Sequence, residues 1–461
     1  MVSWDALRGE FRPLLKLALP IVAGELGWMT MSLVDAMMVG RLSTEALGGV
    51  SVAGILFYAV ATFGIGLMFG LDPLVAQSFG AGDVRDCHKS LFNALWLALP
   101  LAPTLMILAW AWGPVMTWVQ VHPAVLREAK PYLWALTWSM PPLLVYSALR
   151  RYLQAMSLVR PVMLAMVSAN LVNAFVNWVL IFGKLGFPAM GAEGAGWATT
   201  ISRLYMAGFL LVAVIAHDRR YGTELFAGSP WPDLERMRRL ASLGFPAALQ
   251  IVLEISIFAL ATTLISRLDP VWLGAHQIAL TSASYSFMVP LGIGSAAAVR
   301  VGQRIGARDL AGAARAGWAA IVLSVSFMGC AGLVFLLAPS LIARGFTSDP
   351  AVVKASAVML ALAALFQLFD GAQGAATGAL RGAGQTRITA IAHGVGYWVL
   401  GLPLGYVLCF RAGWGAPGLW AGLSFSLILI GIALATAWHR LTRNWSDQLP
   451  AAAAATPVAI S

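Results

Sequence analysis

The chain has 461 residues, of which 59% are hydrophobic and 11% are charged, and its mean hydropathy is +0.79. Soluble domains carry about 25% charged residues, so this composition excludes a soluble protein and predicts a polytopic membrane protein. The net charge of +10 does not indicate nucleic-acid binding, because no basic soluble domain accompanies it. The three scattered cysteines predict neither a disulfide framework nor a metal cluster.

The apolar runs of the chain are long enough to be membrane-spanning helices. The first run is too long for a cleavable signal peptide and leads directly into further runs. The sequence therefore predicts an all-α polytopic membrane protein with twelve transmembrane helices. The runs lie near residues 14–36, 48–70, 92–113, 130–152, 162–183, 192–216, 239–265, 274–298, 315–340, 355–380, 391–411 and 416–437.

A charged connection at 217–240 divides these runs into six and six. We therefore predict an N-terminal lobe at 1–216, a cytoplasmic linker at 217–238 and a C-terminal lobe at 239–440. Residues 441–461 are predicted to form a disordered cytoplasmic tail, because their end is low in complexity. Most of the 30 Lys and Arg residues fall at the termini and in the even-numbered loops. The positive-inside rule then predicts that both termini are cytoplasmic.

The two halves of the sequence resemble each other without a gap over a long stretch. When Pro20 is laid on Pro246, Gln77 meets Gln303, and the match extends to loop residues such as Asp83, which meets Asp309. Each half holds an even number of runs, so both copies enter the membrane in the same direction. This pattern predicts two six-helix lobes related by a pseudo-two-fold axis along the membrane normal, as in alternating-access carriers.

Three acids within the apolar runs have no acidic counterpart in the other half, which indicates a role specific to one lobe. An acid near the middle of a spanning helix costs at least about 2.5 kcal/mol on insertion scales, so it needs a function or a partner. These acids and the residues opposite them are Asp35 and Ala261, Glu254 and Trp28, and Asp370 and Leu143.

Glu254 and Asp370 each lie on a helix face that carries further polar or aromatic residues. Gln250 and Phe258 share the face of Glu254, and Phe258 could attract an organic cation through its ring. Poor hydration and a second nearby carboxylate both favour the protonated form of a carboxyl group. A site of this kind can hold a proton, a sodium ion or an organic cation, but hardly two at once, and mutual exclusion is the basis of antiport. The polar stripe of Asp370 comprises Gln367, Gln373, Gly374 and Thr377.

Asp35 has potential amide partners in the fifth run, where Asn173 and Asn177 are four residues apart. Oxygen ligands of this kind suit a small hard cation or a proton. The alternative for every buried acid, including Glu25, is a structural ion pair or hydrogen bond. Arg203 and His393 are the basic partners within or at the edge of a run, and we interpret His393 as a packed or rim histidine.

Signatures of enzymes are missing from the sequence. There is no HExxH, GxSxG or Walker A pattern and no Cys/His cluster with metal-ligand spacing, so we predict that the protein is not an enzyme and holds no cofactor. No repeated ring of residues indicates a channel pore.

Several segments resemble the multidrug and toxic compound extrusion (MATE) family, and most of all its bacterial NorM-type branch. The resemblance covers nearly the whole chain and includes polar loop motifs as well as hydropathy. The segments are PIVAGELGWMTMSLVDAMMVGRL at 20–42, AQSFGAGD at 76–83, GAHQIAL at 274–280, MVPLGIGSAAAVRVGQRIGARD at 288–309 and ALRGAGQTR at 379–387.

This resemblance implies a monomeric antiporter of the bacterial inner membrane, in contact with membrane lipid, that exports cationic drugs from a central cavity in exchange for inward H⁺ or Na⁺. By position, Glu254 and Asp370 resemble the acids of the seventh and tenth helices, and Asp35 that of the first. The resemblance also implies that Asn173 and Asn177 assist Asp35, that Pro20 allows the first helix to bend, and that Phe258, Gln277 and Asp349 contact drug.

The coupling ion is left open between H⁺ and Na⁺, with Na⁺ placed at Glu254, Asp370 or Asp35. Phe366 stands four residues before Asp370, where sodium-coupled members often have a tyrosine that offers an oxygen ligand. The resemblance therefore favours H⁺ by a small margin. The alternative functions are a lipid-linked precursor flippase on a related fold, which predicts several cations in the cavity, and a receptor that moves no substrate.

Overall fold

The computed structural model describes residues 4–118, 120–226 and 230–453, and within these ranges all regular secondary structure is helical. This confirms the predicted all-α class. The α-helices in chain order are α1 (Trp4–Val39), α2 (Thr44–Leu67), α3 (Leu71–Gly80), α4 (Val84–Trp110), α5 (Trp112–Trp118), α6 (Pro123–Thr137), α7 (Met140–Ala155), α8 (Val159–Phe182), α9 (Gly191–Tyr221), α10 (Leu234–Ile265), α11 (Pro270–Gly306), α12 (Leu310–Leu337), α13 (Pro339–Arg344), α14 (Pro350–Gly382), α15 (Thr386–His393), α16 (Leu402–Tyr406) and α17 (Ala416–Ala453).

Eleven helical segments within the described ranges are long and apolar enough to cross a membrane. They match eleven of the predicted runs, and the exception is the run at 130–152. The chain is divided there at Trp138 and Ser139 into α6 and α7, each shorter than a full span. Prolines in the first turn of α7 lack the N–H group that would continue the preceding helix, so the helix begins anew.

The eleventh predicted run contains irregular helical turns. After α15 the backbone adopts π-helical turns at Gly394–Gly401 and again at Val407–Arg411, on either side of the short α16. Wider turns of this kind are rare and are frequently found at functional sites. The first of them follows His393 directly.

Contacts between Cα atoms divide the chain into two compact units. Unit 1 consists of Met1–Val22, Ala76–Gly82 and Leu253–Ser461, and unit 2 of Ala23–Val75 and Asp83–Val252. Helix α1 therefore contributes to both units, and so do α3 and α10. The predicted boundaries around the linker follow the sequence repeat and stay a prediction, whereas these units follow packing.

The repeat predicted from the sequence has a structural counterpart inside unit 1, where α3 packs on α11. A Cβ atom built on Gly80 would lie 2.0 Å from the carbonyl oxygen of Gln303, and one built on Gly306 would lie 1.9 Å from that of Gln77. These four residues are two pairs of repeat partners, so the contact is reciprocal. Only glycine permits backbones to approach this closely.

The helix ends follow the same repeat. Asp83 caps α4 by accepting a hydrogen bond from the N–H of Asp86 at 2.9 Å, and Asp309 caps α12 by accepting one from Gly312 at 2.7 Å. Carboxylates are favoured at this position because they satisfy a free N–H of the first turn. At the other end of the chain, α17 extends into the predicted tail, and residues 454–461 lie outside the described residues.

Candidate functional site

The two acids of the second half meet through one glutamine in unit 1. Gln373 of α14 donates from Nε2 to Oε1 of Glu254 on α10 at 3.2 Å and to Oδ1 of Asp370 at 3.1 Å. Gln373 and Asp370 are three residues apart on α14, so they share a face. The structure thus brings together the acids whose proximity the two polar stripes suggested.

His393 completes this acid cluster. Its Nε2 atom lies 2.7 Å from Oε1 of Gln373 and 3.9 Å from Oε2 of Glu254, and its Nδ1 atom lies 2.7 Å from the carbonyl oxygen of Thr389. The histidine side chain is fully buried, while 18% of the Glu254 side chain is exposed. The interpretation of His393 as a merely packed or rim histidine overlooked this contact. One signal in the sequence could have indicated it: the apolar runs contain more acids than basic residues to pair with them, and His393 is one of those few basic residues.

Aromatic rings flank the cluster. The ring of Phe258, one turn from Glu254, lies 6.1 Å from that of Tyr397 in an edge-on arrangement. The Tyr397 ring lies 5.8 Å from that of His393. Phe258 is half-buried, so its ring remains accessible beside the acids, as cation–π attraction requires.

A second polar cluster lies in unit 2 and contains the predicted residues of the first and fifth runs. Asp35 accepts a hydrogen bond from Nδ2 of Asn177 at 2.5 Å and another from the hydroxyl of Thr199 at 3.2 Å. Nδ2 of Asn177 also donates to Oδ1 of Asn173 at 3.1 Å. All four side chains are buried. Thr199 was not singled out in the sequence, because a lone threonine in an apolar helix carries no signal.

Arg203 is buried in the same unit, where hydroxyl groups and aromatic rings surround it. Its guanidinium donates to Oγ of Ser139 at 2.5 Å and to the hydroxyl of Tyr58 at 3.0 Å. The guanidinium carbon lies 5.0 Å from the Phe57 ring centroid and 5.7 Å from that of Trp28. Cation–π attraction therefore stabilises this charge inside the protein.

Glu25 has an arginine partner that the sequence did not reveal. Its carboxylate forms a buried ion pair with Arg150 of α7. The neighbouring Arg151 lies 3.6 Å from the carboxylate of Asp72 and 3.8 Å above the Phe69 ring. The positive-inside count included both arginines among the basic residues of an even-numbered loop, whereas in the structure both lie in α7 and are buried inside unit 2. Hydropathy alone assigns adjacent charges to solvent and cannot detect acids supplied by other helices.

The remaining predicted residues do not contact either cluster through any hydrogen bond or ring contact described here for them. The carboxylate of Asp349 is exposed and caps α14 by accepting from the N–H of Ala351 at 2.8 Å. The side chain of Gln277 on α11 is exposed, and Pro20 lies within the continuous helix α1. Phe366 is buried, with its ring 6.1 Å from that of Trp420.

Among the residues that the structure describes, no group of three or more His, Cys, Asp or Glu side chains is arranged to hold a metal ion. Both clusters instead combine one or two carboxyl groups with amides and hydroxyls. Ionisable residues within spanning helices mark ion or substrate pathways in membrane proteins. The helical fold and these clusters together define a transport protein.

The comparisons with known proteins agree with this class. The family model MatE matches residues 20–179 and 246–407, so the chain belongs to this family of transport proteins, which are not enzymes, and the resemblance found in the sequence is confirmed.

Named relatives cover almost the whole chain. It is 38% identical over 445 residues to a probable multidrug resistance protein NorM of Mesorhizobium japonicum, with 95% of each chain covered. It is 34% identical over 450 residues to the multidrug resistance protein PmpM of Pseudomonas aeruginosa, covering 95% of this chain and 94% of that one. The crystal structure of the eukaryotic MATE transporter AtDTX14 matches with a TM-score of 0.86 at 23% identity, over 96% of this chain and 100% of that one.

Proposed function

We propose that this protein is a multidrug efflux antiporter of the bacterial inner membrane, which exports cationic and aromatic drugs and toxins in exchange for inward H⁺ or Na⁺ by alternating access. Relatives that are named multidrug resistance proteins support the substrate class. The main support for this proposal is that the carboxyl groups of Glu254 and Asp370 both accept hydrogen bonds from the amide of Gln373.

Exchange follows from competition at these two carboxyl groups. In an outward-open state a carboxylate binds the ion and releases drug, and in an inward-open state it releases the ion and binds drug. Phe258 contributes cation–π attraction to an aromatic or quaternary cation. The membrane potential drives inward ion movement by about 2.3 kcal/mol per charge per 100 mV, reduced by the charge that the drug carries outward.

The surroundings of the acids favour H⁺ as the coupling ion. Gln373 presents N–H groups to both carboxylates, and Phe366 offers no oxygen atom, whereas Na⁺ is a hard cation that requires oxygen ligands. Na⁺ at Glu254, Asp370 or Asp35 is the alternative. Asp35 has the better oxygen set for it, because the amide oxygen of Asn173 lies in the same cluster.

The other predicted residues have supporting roles in this proposal. Asp35, with Asn173 and Asn177, forms a second cation-coupling site and can also bind drug. Gln277 and Asp349 contact drug along its path, and Pro20 is the point at which α1 bends. The protein works as a monomer with both termini in the cytoplasm, and its partners are organic cations and membrane lipid.

Neutralisation of each acid tests the assignment of the site. Glu254→Gln and Asp370→Asn should each abolish drug resistance in an efflux-deficient strain, because the amide cannot gain or lose the proton that exchanges with drug. Glu45→Gln, at an exposed acid of α2, is the matched control and should retain resistance. Immunoblots of membranes must show equal protein levels. Wild-type efflux from either variant would exclude that acid from the mechanism.

The coupling ion is tested by purified protein in proteoliposomes. Drug uptake should rise when a pH gradient is imposed and should remain at its basal rate under a Na⁺ gradient of equal size. The reverse result would assign Na⁺ as the coupling ion. Absence of drug counterflow under every condition would contradict transport itself and favour a receptor.

A further inference from the structure

The acid cluster of unit 1 contains a third titratable group whose hydrogens can be counted. The carbonyl oxygen of Thr389 can only accept, so the Nδ1 atom of His393 at 2.7 Å carries a hydrogen. The NH₂ group of Gln373 donates to both carboxylates, so its oxygen faces Nε2 of His393 at 2.7 Å. Nε2 therefore also carries a hydrogen, and the ring in this arrangement is a cation.

Rotation of the Gln373 amide by half a turn gives a second complete arrangement. The amide oxygen then faces the carboxyl groups of Glu254 and Asp370, which can donate only when they are protonated. The NH₂ group then donates to Nε2 of His393, which accepts only when the ring is neutral. The bond from Nδ1 to Thr389 is the same in both arrangements. The network thus fits ionised acids with a cationic histidine, or protonated acids with a neutral histidine.

We propose that His393, through Gln373, is the internal proton acceptor that sets the charge of the acid site and so its preference for monovalent organic cations. The inference rests on the proposed antiport function and adds the specificity of that site. The titratable groups that face His393 are Glu254 from α10, Asp370 from α14 through Gln373, and Tyr397 from the turn that follows.

With both acids protonated and His393 neutral, the three groups carry no net charge. When a cation binds, both carboxyl O–H bonds break; one proton forms the Nε2–H bond of His393, and the other leaves to water. The ionised site then has one net negative charge. It matches one positive charge on the ligand, engages both carboxylates, and releases a single proton.

Without a titratable group at position 393, a monovalent cation would leave one carboxyl group protonated, because a buried excess of negative charge is costly. A divalent cation would then be the better match, since both acids could ionise against it. His393→Gln should therefore raise the affinity for a divalent relative to a monovalent organic cation by about tenfold or more, as expected for one unit charge within a few ångströms at intermediate dielectric.

The test uses purified full-length protein with tetraphenylphosphonium as the monovalent probe and decane-1,10-bis(trimethylammonium) as the divalent probe. Calorimetry in buffers of different ionisation enthalpy gives affinities and protons released. Infrared difference spectra count the protonated carboxyl groups lost on binding. For tetraphenylphosphonium we expect one proton released and two carboxyl groups lost in the wild type, but only one carboxyl group lost in His393→Gln.

His276→Gln is the matched control. His276 is also buried in unit 1, but its ring nitrogens are bonded to the hydroxyl of Thr262 at 2.8 Å and to Nε1 of Trp420 at 2.9 Å. Its substitution should leave the ratio of divalent to monovalent affinity and the number of carboxyl groups lost unchanged.

The outcomes separate this inference from the proposed function. A wild type that binds neither probe removes the proposed function. If His393→Gln binds the probes with the wild-type ratio of divalent to monovalent affinity and loses the wild-type number of protonated carboxyl groups, the inference is overturned and the proposed function stands. If that variant does not fold, nitrogen-15 NMR of histidine-labelled wild-type protein decides. The appearance of one imidazolium signal on binding of tetraphenylphosphonium supports the inference, and its absence overturns it.

Discussion

For a single buried acid, the type of partner side chain distinguishes a structural role from a role in exchanging the ion for drug. Glu25 forms a buried ion pair with Arg150, and a guanidinium stays charged at every physiological pH. Glu254 and Asp370 face the neutral amide of Gln373, which can donate to a carboxylate or accept from a carboxylic acid. An amide contact of this kind is not a fixed ion pair, so we propose the exchange role for these two acids and not for Glu25.

Removal of one member of the buried pair should destabilise the protein strongly. Arg150→Ala leaves the carboxylate of Glu25 buried without its arginine, and breaking such a pair costs about 3–5 kcal/mol. Thermal unfolding of the detergent-solubilised protein should show a large loss. Arg85→Ala removes an exposed pair with Glu224 and serves as the control, with an expected effect of about 0–1 kcal/mol. Equal stability of the two variants would contradict a structural role for Arg150 and Glu25.

Among the elements, the long helices α1 and α10 each contribute to both compact units. Pro20 lies two residues before the unit boundary after Val22, and its repeat partner Pro246 precedes the boundary after Val252. Proline removes one intrahelical hydrogen bond and introduces strain with the preceding turn. Each of these helices can therefore bend close to the point at which its packing partners change.

Replacement of Pro20 should slow transport and preserve binding. Pro20→Ala restores the missing hydrogen bond and stiffens α1, so we expect drug transport in proteoliposomes to fall several-fold while drug affinity in detergent stays within about twofold, by analogy with hinge substitutions. Pro13→Ala, in the same helix and outside the boundary region, is the control and should transport normally. Wild-type transport by Pro20→Ala would remove the bend from the mechanism.

For the molecule as a whole, the distribution of basic residues predicts a topology with both termini in the cytoplasm. Lys and Arg concentrate at the termini and in the even-numbered loops, and positive charge is retained on the cytoplasmic side during insertion.

Reporter fusions test this orientation. A green fluorescent protein fused after Ser461 should fluoresce, and alkaline phosphatase at the same position should be inactive, because each reporter folds on one side of the membrane only. Fusion of both reporters in the predicted outer loop around Arg267 provides the internal control, where phosphatase should be active. The opposite pattern would place the C-terminus outside.

Hydropathy and residue spacing were enough to predict the helical class, eleven of the spans and the repeat, because both act along one helix at a time. The sequence also identified Glu254, Asp370 and Asp35 as acids with a high free-energy cost of membrane insertion, since a charge in an apolar run is visible without coordinates. The division of the fourth run at Trp138 was missed, because apolar composition continues across the break.

The identity of the side chains that contact each other became visible from the packing of the helices. Glu254 and Gln373 are 119 positions apart in the chain, and Glu25 and Arg150 are 125 apart. Such partners depend on the rotation of each helix about its axis and on which helices pack together, and neither is encoded in local periodicity. For the same reason His393 looked like one more packed residue in the sequence. In the structure, His393 joins the hydrogen-bond network of Gln373, Glu254 and Asp370, which lie on α10 and α14.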